Sequence, residues 1–197
     1  MKKRLFLALP ITPGLKPKIA SLEKEIEKKF PIKPNWIPLD NLHLTILFLG
    51  WEEDENIVKI LKILDDYPFG YNHLKKVISA KIKKVDYGPP GRQRMIWLYL
   101  ERNEVLSEIF SLCEKILVEN QIPFLREERE YLPHINLVRL KIKKNVKLPT
   151  IKKELNWSVN FNKIVLFQSI LKKPFAEYVP LKEISLTPAA NSSTPWT

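Results

Sequence analysis

Two histidines, His43 and His134, occur in closely similar short frames, HLT and HIN. Each histidine lies near the start of an apolar run of strand character, NLHLTILFLG or PHINLVRL. A small polar residue follows two positions later, Thr45 in the first run and Asn136 in the second. Residues i and i+2 of a strand point to the same face, so each run presents an imidazole beside a hydrogen-bonding side chain.

A pair of histidines suits acid–base chemistry near neutral pH, where one ring can be neutral and the other protonated. The neutral ring takes a proton from water or a hydroxyl, and the cationic ring gives one to a leaving oxygen. The Thr45 hydroxyl and the Asn136 amide can donate hydrogen bonds to phosphate oxygens. Such a site needs no metal, and it suits a strained cyclic phosphate, whose leaving alkoxide mainly needs a proton.

A single histidine on an apolar strand is usually a structural residue. Two matched frames, 91 residues apart in a chain of 197, favour a catalytic pair instead. The third histidine, His73, has no such frame and is expected to lie on the surface.

The sequence lacks the motifs of several common catalytic and ligand-binding sites. The chain has five glycines and neither GxxxxGK nor GxGxxG, so the phosphate-binding loops of nucleotide-binding folds are not expected. Scattered histidines and one cysteine give no zinc-binding spacing, and no GxSxG elbow occurs. We therefore expect neither a metal nor a cofactor.

Composition indicates a class of binding partner and a cellular compartment. The net charge of +11 favours a polyanionic partner, because binding phosphates releases counterions, although a solvated lysine-rich surface accounts for the charge equally well. Cys113 is the only cysteine, which excludes an internal disulfide and fits a reducing, intracellular setting. It lies on the apolar stripe of a predicted helix, so we expect a core residue. No apolar run is long enough for a membrane span.

Periodicity and turn signals predict the elements that must position the histidines. The start MKKRLFLALPITPG, with basic residues before an apolar stretch, resembles a signal peptide. Its apolar stretch is too short for one and carries Pro10, so the segment is interpreted as a strand. Strands are predicted at Lys3–Leu9, Asn41–Gly50, Val77–Tyr87, Met95–Glu101, Pro133–Leu140, Trp157–Ile170 and Tyr178–Ser185. Helices are predicted at Leu15–Phe30, Glu53–Tyr67 and Val105–Val118, with a short one within Asn145–Glu154.

The remaining segments are predicted to connect these elements. Gly88–Gly91 is expected to form a turn and Phe124–Tyr131 a charged loop. Trp36 is expected to pack against the core rather than stack on a base. Residues 187–197 have the composition of a disordered tail, or of a remnant of cloning. The order of elements repeats in outline, which predicts an α+β fold of two similar lobes with mostly antiparallel sheets.

The segments RLFLALPI, NWIPLDNLHLTILFLG, LPHINLVRL and VNFNKIVLFQSIL resemble the 2H phosphoesterase superfamily, named for two HxT/S motifs. Within it, the chain is most similar to the 2′-5′ RNA ligase-like branch, the RNA 2′,3′-cyclic phosphodiesterases. The resemblance covers residues 3–186. It implies one bilobal domain over residues 1–186, with two mostly antiparallel sheets and outer helices around a basic central cleft and a pseudo-twofold axis.

The resemblance also implies the site and the reaction, which is metal-independent hydrolysis of a 2′,3′-cyclic phosphate to a 2′-phosphate. It implies that His134 activates water and His43 protonates the leaving 3′ oxygen. Thr45 matches the first phosphate-binding residue, whereas Asn136 stands where the family has Thr or Ser. Arg139 matches an arginine that often follows the second motif, but its odd offset from His134 requires a bulge before it can face the same side.

Three hypotheses follow. The first is a cytoplasmic, monomeric enzyme that acts on RNA ends, tRNA among them, or on nucleoside 2′,3′-cyclic phosphates, and that could run the reverse 2′-5′ ligation. The second is a non-catalytic RNA- or nucleotide-binding module, with Asn136 marking the loss of catalysis. The third is a phosphodiesterase for a small-molecule cyclic phosphate.

Overall fold

A computed structural model describes residues 1–66, 78–124, 131–140 and 147–186 of the chain. His73, most of the predicted loop at 124–131 and the predicted tail at 187–197 lie outside the described residues.

The described residues form one eight-stranded sheet in the order β6-β3-β4-β5-β2-β1-β7-β8, and every neighbouring pair is antiparallel. The strands are β1 Lys3–Pro10, β2 His43–Glu52, β3 Ile78–Gly88, β4 Met95–Leu100, β5 His134–Arg139, β6 Lys153–Phe161, β7 Lys163–Ile170 and β8 Glu177–Ser185. Three helices accompany them, α1 Lys16–Glu27, α2 Asp54–Asp66 and α3 Glu104–Glu119. None of the helices in the described ranges is long and apolar enough to cross a membrane.

The sheet consists of two halves of four strands that meet between β5 and β2. A single residue pair, Leu44 with Ile135, joins these central strands. The two sheets expected from the sequence are therefore halves of one continuous sheet, and the α+β class is confirmed. The assignment of residues 1–186 to one bilobal domain stays a prediction.

The helices bury apolar stripes in one contiguous core with the inward side chains of the strands. The stripe of α1 contains Ile19, Leu22 and Ile26 at helical spacing, as its sequence predicts. Cys113 of α3 is buried in the same core, which confirms its predicted place. Trp36 packs against this core and donates a hydrogen bond from Nε1 to Glu27 over 3.1 Å, so it packs as predicted.

Two predictions about the C-terminal third are wrong. No helix occurs in the described part of 145–154, because residues 147–152 are irregular and Lys153 already begins β6. The single strand predicted at Trp157–Ile170 is two strands that break at Asn162, with β6 beside β3 and β7 beside β1. The start of β6 and the break at Asn162 depend on pairing with strands that are distant in sequence. Local periodicity carries no information on that pairing.

Gly88, at the end of β3, lies directly against the indole of Trp97 in β4. A Cβ atom built at Gly88 would come within 2.1 Å of Trp97 Cδ2, which is far inside van der Waals contact. Any side chain at this position must displace the indole or the strand.

We therefore predict that Gly88→Ala lowers the free energy of unfolding by about 1–3 kcal/mol, the usual range for overpacking a filled site. Gly14→Ala is the matched control, because a Cβ atom there meets nothing within 4 Å. Urea unfolding of both variants provides the measurement. Equal stability of the two would show that the indole does not fill the space beside Gly88.

Candidate active site

The two histidine strands are neighbours, and they bring the matched frames together. The pairing of Leu44 with Ile135 sets an antiparallel register between β2 and β5. In that register His43 lies toward Asn136, and Thr45 lies toward His134 on the same face of the sheet. Each imidazole thus has the polar residue of the other strand beside it.

Both strands carry a bulge at the same distance from their histidine. In β2, Leu47 pairs with Leu7 and Thr45 with Ala8, so Ile46 is an extra residue. In β5, Leu137 is extra in the same way, because Val138 pairs with Ile96 and Asn136 with Trp97. The burial of both strands follows one pattern: the two residues at and after the bulge are buried, and the next is exposed.

The bulge in β5 explains how Arg139, at an odd offset from His134, reaches the same face of the sheet. A bulge resets the alternation of side chains, so Arg139 points to the face that carries His134 and Asn136. The corresponding position in β2 holds Phe48, which is also exposed. The face is therefore cationic at this position in one half and aromatic in the other.

Each histidine makes the same local hydrogen bond. His43 Nδ1 lies 2.7 Å from the carbonyl oxygen of Asn41, and His134 Nδ1 lies 2.7 Å from that of Leu132. A carbonyl oxygen only accepts, so Nδ1 carries the hydrogen in both rings. In the neutral form of each ring, Nε2 is then the nitrogen that carries the lone pair.

His43 lies in an aromatic cluster. The centroid of its ring is 5.0 Å from that of Phe6 and 5.3 Å from that of Tyr178, whose ring meets it edge-on. Burial lowers the pKa of His43 to about 4, the hydrogen bond to the Asn41 carbonyl opposes that shift, and the charge of His134 adds to it. His43 is therefore neutral near pH 7, the state of a proton acceptor.

His134 has a different neighbour. Its ring stacks on the indole of Trp97, with centroids 3.6 Å apart and planes 19° apart. Trp97 is 6% exposed, so the indole forms a buried wall under a half-buried imidazole.

The polar residues of the two frames, Thr45 and Asn136, have different hydrogen-bond environments. Thr45 is fixed through its backbone, since its carbonyl accepts a hydrogen bond of 3.0 Å from the Tyr131 hydroxyl. Asn136 Oδ1 is buried and has no hydrogen-bond partner within the described ranges. An unpaired buried amide oxygen costs about 1–3 kcal/mol, so stability does not explain an asparagine here.

Charge around the cluster is positive. Burial raises the pKa of the Tyr178 hydroxyl, and the positive charges of Arg4 and Arg139 oppose that shift. Tyr178 touches His43, so Arg139 lies within electrostatic reach of the His43 side of the site. Among the described residues, no group of three or more His, Cys, Asp or Glu side chains could hold a metal ion.

The structure brings together all the residues that the sequence singled out, which are His43, Thr45, His134, Asn136 and Arg139; their chemical roles stay predictions. Sequence reasoning missed the side chains that surround the rings, which are Phe6, Trp97 and Tyr178. The available signal was the aromatic residues in strands flanking the two histidine runs. Nothing in the sequence identified the carbonyl groups that bind Nδ1.

The chain is similar to a known domain family and to characterised proteins over most of its length. Residues 5–194 match the AKAP7 2′5′ RNA ligase-like domain. The chain is 29% identical over 187 residues to an RNA 2′,3′-cyclic phosphodiesterase of Methanocaldococcus jannaschii, covering 91% of this chain and 99% of that one. It is 27% identical over 145 residues to the protein of that name from Methanothermobacter thermautotrophicus, covering 74% of this chain and 75% of that one.

Solved structures share the fold. Escherichia coli LigT, crystallised with 3′-AMP, has a TM-score of 0.72 at 21% identity. The match covers 95% of this chain and 100% of that protein. TT0787 of Thermus thermophilus has a TM-score of 0.73 at 23% identity, with 93% of this chain and 97% of that protein covered.

The environment of His43 predicts its titration. We expect the Cε1–H signal of His43 to titrate with a midpoint near pH 4 in the free protein, because burial disfavours the charged ring. Two-dimensional NMR across pH 3–8 measures it, and a His43→Asn variant identifies the signal. A midpoint near the ordinary value of about 6.5 would contradict the burial described here.

Proposed function

The chain belongs to the 2′-5′ RNA ligase-like family of 2H phosphoesterases, and we propose that it hydrolyses RNA or nucleoside 2′,3′-cyclic phosphates to 2′-phosphates without a metal ion. The observation that carries this proposal is the matched pair His43 and His134. Both present Nε2 from neighbouring antiparallel strands, in the same tautomer and on the same face.

The reaction needs one proton acceptor and one donor on opposite sides of the phosphorus. One neutral histidine takes a proton from water as the water oxygen attacks phosphorus. The bond between phosphorus and the 3′ oxygen breaks, and that oxygen takes the Nε2 proton of the other, cationic histidine. The product is a 2′-phosphate and a free 3′ hydroxyl, and the two histidines have exchanged charge states.

The negative charge that develops on the phosphate oxygens requires donors that are already in place. Thr45 supplies a hydroxyl beside His134, and Asn136 supplies an amide N–H beside His43. Arg139 supplies a fixed positive charge, because the bulge at Leu137 turns it to the same face. We propose that these three groups bind the nonbridging oxygens.

The names of the relatives support the reaction and substrate class. Proteins that match most of this chain are RNA 2′,3′-cyclic phosphodiesterases. The net charge of +11 favours an RNA end, which carries several phosphates, over a small-molecule cyclic phosphate. We propose that the enzyme acts as a cytoplasmic monomer on RNA ends, tRNA among them, and that reverse 2′-5′ ligation uses the same groups.

A non-catalytic RNA- or nucleotide-binding module is the second candidate, and Asn136 is the observation that favours it. The family has Thr or Ser at this position, and the Asn136 carbonyl oxygen is buried without a hydrogen-bond partner in the described part of the chain. Such a module would bind cyclic nucleotides and RNA without turning them over.

We expect His43→Ala and His134→Ala each to lower kcat by at least about 100-fold, since general acid–base catalysis is worth about 10²–10⁴-fold per group. Phosphorus NMR of a nucleoside 2′,3′-cyclic phosphate follows the reaction and identifies the monoester formed. The wild type is expected to yield the 2′-phosphate at the same rate with or without a chelator.

His73→Ala is the control for this experiment, because it removes a histidine that has no small polar residue such as Thr or Asn at i+2. It is expected to keep wild-type turnover, and circular dichroism checks that all three variants are folded. Wild-type turnover in either site variant would rule out the two-histidine mechanism. Binding without turnover by the wild-type protein would favour the second candidate.

A further inference from the structure

Two large aromatic side chains of β2 are exposed on the face of the sheet that carries the site. Phe48 is 37% exposed and Trp51 is 57% exposed. Phe48 pairs with Phe6 of β1, and Trp51 pairs with Arg4 of the same strand. Directly paired residues share a face, and Arg4 and Phe6 are two apart in one strand, so all four side chains lie on the face of His43.

Two bulges in β2 place Thr45, Phe48 and Trp51 on one face, although they are three residues apart in sequence. The first bulge is at Ile46, and the second is at Leu49, where the register with β1 shifts by one residue. The partners of the three side chains are every second residue of β1, so the side chains form a row with steps of about 7 Å. Each aromatic ring of the row therefore has room for a base of its own.

The row extends beyond the part of the sheet that the two halves share. β5 has one bulge and ends at Arg139, which corresponds to Phe48 in β2. β2 continues four residues further, to Glu52, and Trp51 lies in that extension. The pairing of the two histidine frames therefore does not account for an exposed tryptophan at this position.

A continuous series of side-chain contacts links the row to the site. The ring centroid of Phe6 is 6.1 Å from that of Phe48 and 5.0 Å from that of His43. Arg4 is close enough to Tyr178 for its charge to act on the Tyr178 hydroxyl, and the Tyr178 ring meets His43 edge-on. A ligand bound at the histidines can therefore extend along β2 without leaving this surface.

Arg4 supplies positive charge beside the exposed rings. Two carboxylates, Glu53 and Asp54, follow β2 directly, and cations near the N-terminus pair with both. Lys2 Nζ lies 3.5 Å from Glu53 Oε1. Lys3 Nζ lies 3.0 Å from Asp54 Oδ1. Arg4 forms no salt bridge with a carboxylate in the described ranges, so its guanidinium is available to a phosphate group.

A 2′,3′-cyclic phosphate closes the 3′ end of an RNA chain, so the rest of the chain leaves the site through the 5′ oxygen of the last nucleotide. Exposed aromatic rings beside a cation bind single-stranded RNA, because they stack on bases of any sequence. We propose that Trp51 and Arg4 form a second subsite, in which Trp51 stacks the base that precedes the terminal nucleotide and Arg4 binds the phosphate joining the two. This inference rests on the proposed function, and it names the substrate as single-stranded RNA of two or more nucleotides.

The test compares the wild type with Trp51→Leu and Trp51→Phe on a nucleoside 2′,3′-cyclic phosphate and on a dinucleotide that ends in the same cyclic phosphate. We expect the wild type to prefer the dinucleotide. In Trp51→Leu the ratio of the two kcat/KM values should fall about ten-fold, mainly through KM, because one stacked base is lost. Trp51→Phe keeps an aromatic face and should keep most of the preference. A merely structural role would lower both kcat/KM values equally and leave the ratio in place, which would overturn the proposal.

Binding of a fluorescently labelled dinucleotide 2′-phosphate, followed by anisotropy at several salt concentrations, tests the subsite without turnover. Trp51→Leu should weaken this binding about ten-fold. Arg4→Gln should lower the slope of log Kd against log salt concentration by about 0.7, the value for one phosphate contact on a single strand. Val58→Ala is the matched control, since it removes an exposed apolar side chain from α2, outside the sheet. It should change neither the ratio nor the binding.

Two results would overturn the proposal. The first is a wild type that shows no preference for the dinucleotide in turnover or in binding. The second is a folded Trp51→Leu variant that binds the dinucleotide as tightly as the wild type, which would indicate that the exposed indole serves some other contact. A wild type that turns over neither substrate would count against the proposed function, whereas dinucleotide binding that depends on Trp51 would still support the subsite.

Discussion

The structure depends on the narrow contact between β2 and β5, where one residue pair joins the halves of the sheet. Each half positions one histidine at the start of its central strand, so this contact sets the separation of the two rings. Each ring is then oriented by a hydrogen bond to the carbonyl group two residues earlier. A shift of one residue in this register would turn one frame into the core and destroy the pair.

The side chains around the two rings break this near-symmetry. His43 lies among the aromatic side chains of Phe6 and Tyr178, and burial lowers its pKa so that the ring is neutral near pH 7. His134 is instead stacked on the buried indole of Trp97. An acid–base pair needs its members in opposite states at the start of the reaction. The two imidazoles therefore lie in different surroundings although their sequence frames match.

The sequence was sufficient for the histidine frames, because a period of two with a polar residue at i+2 is a local pattern. It was also sufficient for the helices, whose apolar stripes are equally local. It failed at Lys153, which begins an edge strand where a helix was predicted, and at Asn162, where one predicted strand is two. The bulges at Ile46 and Leu137 could not be predicted from the sequence of their own strands, because a bulge depends on the pairing with the neighbouring strand. Trp97 was missed for the same reason.

The central claim is that both Nε2 atoms bind one phosphate group between β2 and β5. A crystal structure of the protein with a nucleoside 2′-phosphate, the expected product, tests it most directly. We expect a phosphate with oxygens about 3 Å from Nε2 of His43 and of His134, and with Thr45 and Asn136 donating hydrogen bonds to it. A phosphate bound elsewhere on the sheet, or reached by only one of the two histidines, would contradict it.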